Sequence, residues 1–190
     1  MIEVSEETID RIHTILAGVE NADKKVLKPA LTRGLMAGKT AFKEQITNVY
    51  YIEPKVISSY SKVGYKKVQM SSDGLIGSIE YAGKVIPLIK FNTTPKEPTY
   101  GKTPVKSAAM RNESQVEFEN AFTAQMPNGH IGVYERKDKS RYPLKQLYGP
   151  SAPRMAENAN VLNVVEDRIN EVINQRIDHE IGRLLSKNGG

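Results

Sequence analysis

The chain contains no cysteine. That single absence removes disulfides, thiolate metal sites and cysteine nucleophiles together. Histidine is scarce as well, at three residues spread over separate stretches, so a histidine-rich metal site has little to build on. No apolar run approaches the eighteen or so residues of a membrane span. The opening "MIEVSEETID" is acidic and lacks the basic-then-apolar pattern of a cleaved export signal, so no such signal is expected. The charge excess is small: 27 basic against 22 acidic residues, a net of +5. A dedicated DNA-binding domain usually carries a denser basic footprint, so phosphate contact is permitted but not demanded.

What remains is an ordinary polar-apolar mixture, 39% hydrophobic and 26% charged over 190 residues, enough for one domain over residues 1–190 with a real core. Ile9, Ile12, Ile15, Leu16 and Val19 recur at helical spacing behind Ser5, a suitable N-cap. A second helix is predicted from about Leu27 to Val49, with Leu27, Leu31, Leu35, Gly38, Phe42 and Ile46 on one face and Pro29 near its first turn. Gly34 and Gly38, four apart, would let another element approach that face closely. A short helix or turn follows Pro54.

The period then changes from helical to alternating. "YKKVQM", "LIGSIEY" and "KVIPLIKF", parted by "SSDG" and "AG", read as a three-strand meander with Pro87 on an edge. Residues 92–112 hold three prolines and no periodicity, which predicts an exposed loop or arm. "SQVEFENAFTAQM" and "HIGVYER" supply two further strands around a "PNG" turn, the first with Val116, Phe118, Asn120 and Phe122 on one face. A last helix from near Pro153 to Leu185 carries a long stripe that includes Leu162, Val165, Ile169 and Ile173. At roughly 45 Å it outruns a small domain, so a neighbouring subunit is expected to cover part of it. Helices, about five antiparallel strands and a long final helix make the class α+β.

Motifs that could carry chemistry fail on spacing. "GLMAGKT" needs a glycine at position 33 to be a phosphate-binding loop, and Arg33 stands there inside a helical pattern. "HEIGR" starts like a zinc-protease helix but has Arg183 where the second histidine belongs. His130 lacks a nucleophile and an orienting partner nearby, so a structural hydrogen bond to a neighbouring strand or loop is the better reading. No catalytic residue, cofactor or metal is assigned. The densest basic group is Arg136, Lys137, Lys139, Arg141, Lys145 and Arg154. It is either a solvated turn whose ion pairs contribute little, or a contact for phosphates or an acidic neighbour.

"RYPLKQLYGPSAP" reads as a corner. Pro143 opens one helical turn, Leu144 and Leu147 give it an apolar side, and Gly149 ends it at positive φ. Pro150 blocks continuation and Ser151 caps the last helix.

The stretch "AFTAQMPNGHIGVYERKDKSRYPLKQLYGPSAPRM" resembles the phage minor tail protein Z family. Gly129-His130, Gly132, Arg136, Arg141, Pro143, Leu147 and Gly149-Pro150-Ser151 carry the likeness, supported by "ALTRGLMAGKTAFKEQI", "YYI" and "VIPLIKF" in similar order. Tyr134 and Leu144 stand where phenylalanine and isoleucine are common, and residues 92–112 match nothing in the pattern. The resemblance implies a structural tail-completion protein of the virion, assembled in the host cytoplasm. It would form a homo-oligomeric ring, commonly a hexamer, at the head-proximal end of the tail. Its partners there would be a tail terminator or head-tail connector, with no membrane involved. The alternative is a morphogenesis protein whose basic turn touches DNA in the channel without regard to sequence.

Overall fold

In the computed structural model, residues 6–71, 74–99, 103–138, 140 and 142–188 are described. The elements in order are α1 (Glu6–Ile15), α2 (Ala22–Val49), α3 (Pro54–Tyr60), β1 (Ser61–Ser71) and β2 (Gly74–Gly83). Then come β3 (Ile86–Pro87), a 3-10 turn (Leu88–Lys90), β4 (Asn92–Thr94), β5 (Val105–Ala108), β6 (Val116–Phe118) and β7 (Ala121–Gln125). The chain finishes with β8 (Ile131–Arg136), β9 (Leu144–Gln146), β10 (Tyr148–Gly149), α4 (Ala152–Ala156) and α5 (Ala159–Asn188). The class is α+β, with small antiparallel sheets between helical ends.

Two compact units divide the chain, where a single domain over 1–190 was expected. One takes the residues through Phe42, Val63–Glu80 and the residues from Leu162; the other takes Lys43–Lys62 and Tyr81–Val161.

The first unit is built on α2 and α5. Val165, Ile169, Ile173, Ile177, Ile181 and Leu184 are all buried, at a spacing of nearly four, which lays one stripe along α5. Gly34 and Gly38 of α2 meet that stripe. A Cβ on Gly34 would lie 2.6 Å from Ile173 Cγ1, and one on Gly38 would lie 2.5 Å from Ile169 Cγ1. The helices therefore approach through the two glycines, as their spacing predicts. α1 adds Ile12 and the turn after it adds Leu16, both buried, and Arg11 of α1 pairs with Asp178 of α5 at 2.8 Å. The stripe thus finds cover inside its own unit, and the expected need for a second subunit to bury it falls away. Leu162 departs from expectation: it is 40% exposed. Val161 takes the buried position, and one residue further on a helix is about 100° around.

α2 begins at Ala22, so Pro29 sits inside the helix and not in its first turn. Interior proline costs about 3 kcal/mol, and burial of Val26 and Ala22 upstream offsets it. The hairpin β1–β2 forms its own two-stranded sheet. Gly77 of β2 lies so near Leu35 of α2 that a Cβ would be 2.6 Å from Leu35 Cδ1.

In the second unit the strands make small sheets in place of the expected meander. β3 does not join β1–β2; it pairs with β10, with Pro87 opposite Tyr148 and Ile86 opposite Gly149. Residues 92–112, expected as an arm, contribute strands β4 and β5 to a sheet ordered β4-β5-β6. Burial explains the difference: Val105 and Ala108 are inside, and Thr93 and Ser107 share a buried hydrogen bond of 2.9 Å across the pair. Thr93 also donates to the Leu88 carbonyl at 2.7 Å, so its hydroxyl is satisfied without water. The run expected as one strand over Val116–Phe122 breaks at Glu119–Asn120 into β6 and β7. Consequently Ala121 and Thr123 face inward, while Val116 is 64% exposed. Leu88, Ile89, Val105, Ala121 and Val133 form one hydrophobic core cluster of this unit.

The final helix is two helices. α4 is capped by Ser151, whose hydroxyl accepts from the Arg154 N–H at 3.5 Å. Asn158 then interrupts: its side-chain oxygen accepts from the Asn160 N–H at 2.9 Å, and its amide donates to Tyr50 Oη at 3.2 Å. That is N-cap chemistry, so α5 starts afresh after it. No helix among the described residues is long and apolar enough to cross a membrane.

Candidate functional site

The sheet β7-β8-β9 displays most of the distinctive segment. Its register places Phe122 opposite Tyr134 and Tyr134 opposite Gln146, with Arg136 opposite Leu144. Directly opposed residues share a face. The next pairs, Thr123 with Val133 and Glu135 with Lys145, therefore belong to the other face, where Thr123 and Val133 are buried. The basic residues are split by this alternation. Arg136 lies on the outer face beside Phe122, its guanidinium carbon 5.6 Å from the ring centroid. Lys145 lies across the sheet next to Glu135. Lys137 is exposed in the following turn, where Asp138 accepts from the Ser140 N–H at 2.7 Å. Arg154 belongs to α4 and is held by Glu157 at 2.6 Å. Lys139 and Arg141 lie outside the described residues. The described members of the basic group thus do not form one patch.

The corner is built from other parts than those expected. Leu144–Gln146 is strand β9, not a helical turn, and Pro143 enters it through a cis peptide bond. Leu147 donates its N–H to the Val133 carbonyl at 2.8 Å and accepts from the Leu88 N–H at 3.0 Å. It is the joint where the chain leaves one small sheet for another. Gly149 is not among the glycines at positive φ, which among the described residues are Gly18 and Gly129. Its small size serves a close approach instead: a Cβ there would be 2.5 Å from Phe91 Cε2. Pro150 and Ser151 follow, and Ser151 caps α4 as its side chain predicts.

His130 sits just before β8, with its Nε2 3.0 Å from the Gln146 amide nitrogen. An amide nitrogen can only donate, so the imidazole nitrogen accepts here. Tyr148 Oη donates to the Gln146 carbonyl oxygen at 3.0 Å, closing a small polar chain on the outer face. Burial, with Tyr148 nearby, pushes the Tyr134 hydroxyl above its ordinary pKa. Gly34–Thr40 is helical throughout, with no loop to cradle a phosphate. His179 is exposed on α5, while Glu180 beside it is buried against Arg183 at 2.6 Å.

The outer face of the sheet also bounds an open cleft of about 710 Å³. Phe122, Leu144 and Arg136 contribute from the strands, Met126 and Pro127 from the β7–β8 turn, and Pro98 and Thr99 from the segment after β4. Sequence reading missed it because its walls come from three stretches with no common motif. The one signal was Phe122 and Arg136 lying in strands joined by a tight "PNG" turn.

The family described as prophage minor tail protein Z (GPZ) matches residues 78–187. The chain belongs to this family. The match takes in the β7–β9 sheet, the corner, α4 and nearly all of α5. No curated protein and no solved structure gives a significant match. As a minor tail protein Z family member, the chain is a structural protein of a phage tail, and its place is in the virion. It works by contact with other tail proteins.

Proposed function

We propose that this chain completes the tail at its head-proximal end, forming a ring of identical subunits, a hexamer, that joins the tail to the head-side connector. It acts as a structural joint and not as an enzyme. The observation that carries the ring is the β1–β2 hairpin. Strands of 11 and 10 residues stand as a two-stranded sheet, whose outer edges pair with no further strand among the described residues. Such a hairpin is marginal alone, and an open edge is a template for pairing with another chain. Ile76 on it is 56% exposed and Tyr65 is 37% exposed, which gives a neighbouring copy apolar side chains to cover. The corner supports the joining role, since tight contacts at Leu147 and Gly149 hold α4 in register with two sheets.

The test deletes the gene from an inducible prophage. Filled heads and separate, full-length tails are the expected products, restored to infectious particles by the wild-type gene supplied in trans. Ile76→Lys should fail to restore them, and the purified variant should sediment as a smaller species than wild type. Normal phage yield from the deletion, or tails that never form, would overturn the head-proximal reading. DNA contact through the basic turn is the second reading, but the described residues divide that turn's charges between two sheet faces.

A further inference from the structure

We propose that the cleft on the outer face of the β7-β8-β9 sheet is a docking site for an extended acidic segment of a neighbouring tail protein. The segment lays an apolar side chain on Phe122 and Leu144 and sets a carboxylate against Arg136. This rests on the reading of the chain as a joint between tail proteins, and names the surface and the chemistry of the partner.

Charge is the first argument. Arg136 is the cation of the cleft, and no carboxylate lines it among the described residues. The guanidinium is held over Phe122, so one of its faces is already desolvated and its N–H edge is left to a partner. Lys137 follows it, exposed in the turn after β8, and the nearby Asp138 is engaged with the turn backbone. A carboxylate matches this fork geometry better than any neutral group. The second is shape. The open cleft of about 710 Å³ sets the apolar side chains of Phe122 and Leu144 beside Arg136. A nucleic acid strand suits it less well: binding a backbone spreads over several phosphates, and among the described residues Arg136 is the one cation that lines the cleft.

The experiment uses the full chain and fluorescence anisotropy. The probe is a short fluorescein-labelled peptide alternating aspartate with leucine, compared with its lysine-leucine counterpart and with a labelled DNA duplex. The acidic peptide should bind, and Arg136→Gln should weaken it about tenfold, the loss expected for a hydrogen bond to a charged group. Lys145→Gln, on the other face, should leave binding unchanged. Absence of binding by the acidic peptide overturns the proposal, as does equal binding of the lysine peptide. So do indifference to Arg136→Gln and preference for the duplex. Complementation separates this from the joining function. Peptide binding lost in Arg136→Gln while phage yield stays normal would leave the cleft standing and remove its part in assembly. Defective joining without any peptide binding would do the reverse.

Discussion

Alanine at Gly38 should destabilise the protein, although alanine is the better helix former. The structure sets two opposing effects at this position in α2. Replacing glycine by alanine within a helix gains about 1 kcal/mol from backbone entropy alone. Here the new Cβ would lie 2.5 Å from Ile169 Cγ1, 2.6 Å from Ile169 Cδ1 and 2.9 Å from Ile79 Cδ1. Ile169 is itself only 4% exposed, so it has little room to turn away. Overpacking of this kind costs about 1–3 kcal/mol, and the net expected loss is about 1 kcal/mol after the propensity gain. Gly182 of α5 is the internal control. Nothing lies within 4 Å of a Cβ built there, so Gly182→Ala should stabilise by up to about 1 kcal/mol. The assay is urea unfolding followed by circular dichroism, with a shift in midpoint at constant slope as the readout. A double-mutant cycle sharpens it. Ile169→Ala removes the two closest atoms and leaves Ile79 Cδ1 at 2.9 Å, so the cost of Gly38→Ala should shrink in that background, a coupling of about 1–2 kcal/mol. If Gly38→Ala stabilises as much as Gly182→Ala does, the helices do not meet through the glycines and the reasoning fails.

Ile169→Asp places an unpaired carboxylate in the same interface and should cost more than about 3 kcal/mol; a normal urea midpoint would show the stripe to be solvated. Gly149→Val should destabilise by about 1–3 kcal/mol through collision with Phe91; since φ is not the constraint, Phe91→Leu should recover part of the loss, and no recovery would point to the backbone instead. Tyr81 should titrate late. Burial pushes its pKa up to about 12, so the folded state holds the proton more tightly than the unfolded one. Its contribution is therefore intact below about pH 10 and is lost as pH rises toward 12, a window that ultraviolet absorbance and chemical unfolding can follow together. A tyrosine titration in Tyr81→Phe identical to wild type would refute this assignment.

The helical frame was legible because its signals are local. Ile12, Leu16, Phe42, Ile46, Ile173 and Ile177 declare their buried faces by spacing, and Gly34 with Gly38 announces a close neighbour without naming it. Strand pairing was less legible. β3 and β10 are some sixty positions apart in the chain, and nothing in "KVIPLIKF" says that its partner is Tyr148–Gly149 and not the preceding hairpin. At Leu144–Leu147 the local signals pointed the wrong way: a proline followed by two leucines three apart suits a helical turn, but the ladder to β8 prevails. Residues 92–112 look unstructured by proline content, yet Val105, Ala108, Thr93 and Ser107 find cover that only the tertiary fold supplies. The cleft was invisible for the same reason. Arg136 could be singled out as a charge, but the register that aims it at Phe122 and Leu144, away from Lys145, exists only in the assembled sheet.

The account stands on the chain being a ring at the head-proximal end of a tail. The most direct test is a cryo-electron microscopy reconstruction of the neck of the phage particle that carries it. The account predicts six copies of this fold between the tail tube and the head-side connector, with β1–β2 edges at the contacts between copies. Density for the chain at the distal tip, or its absence from the finished particle, would contradict it.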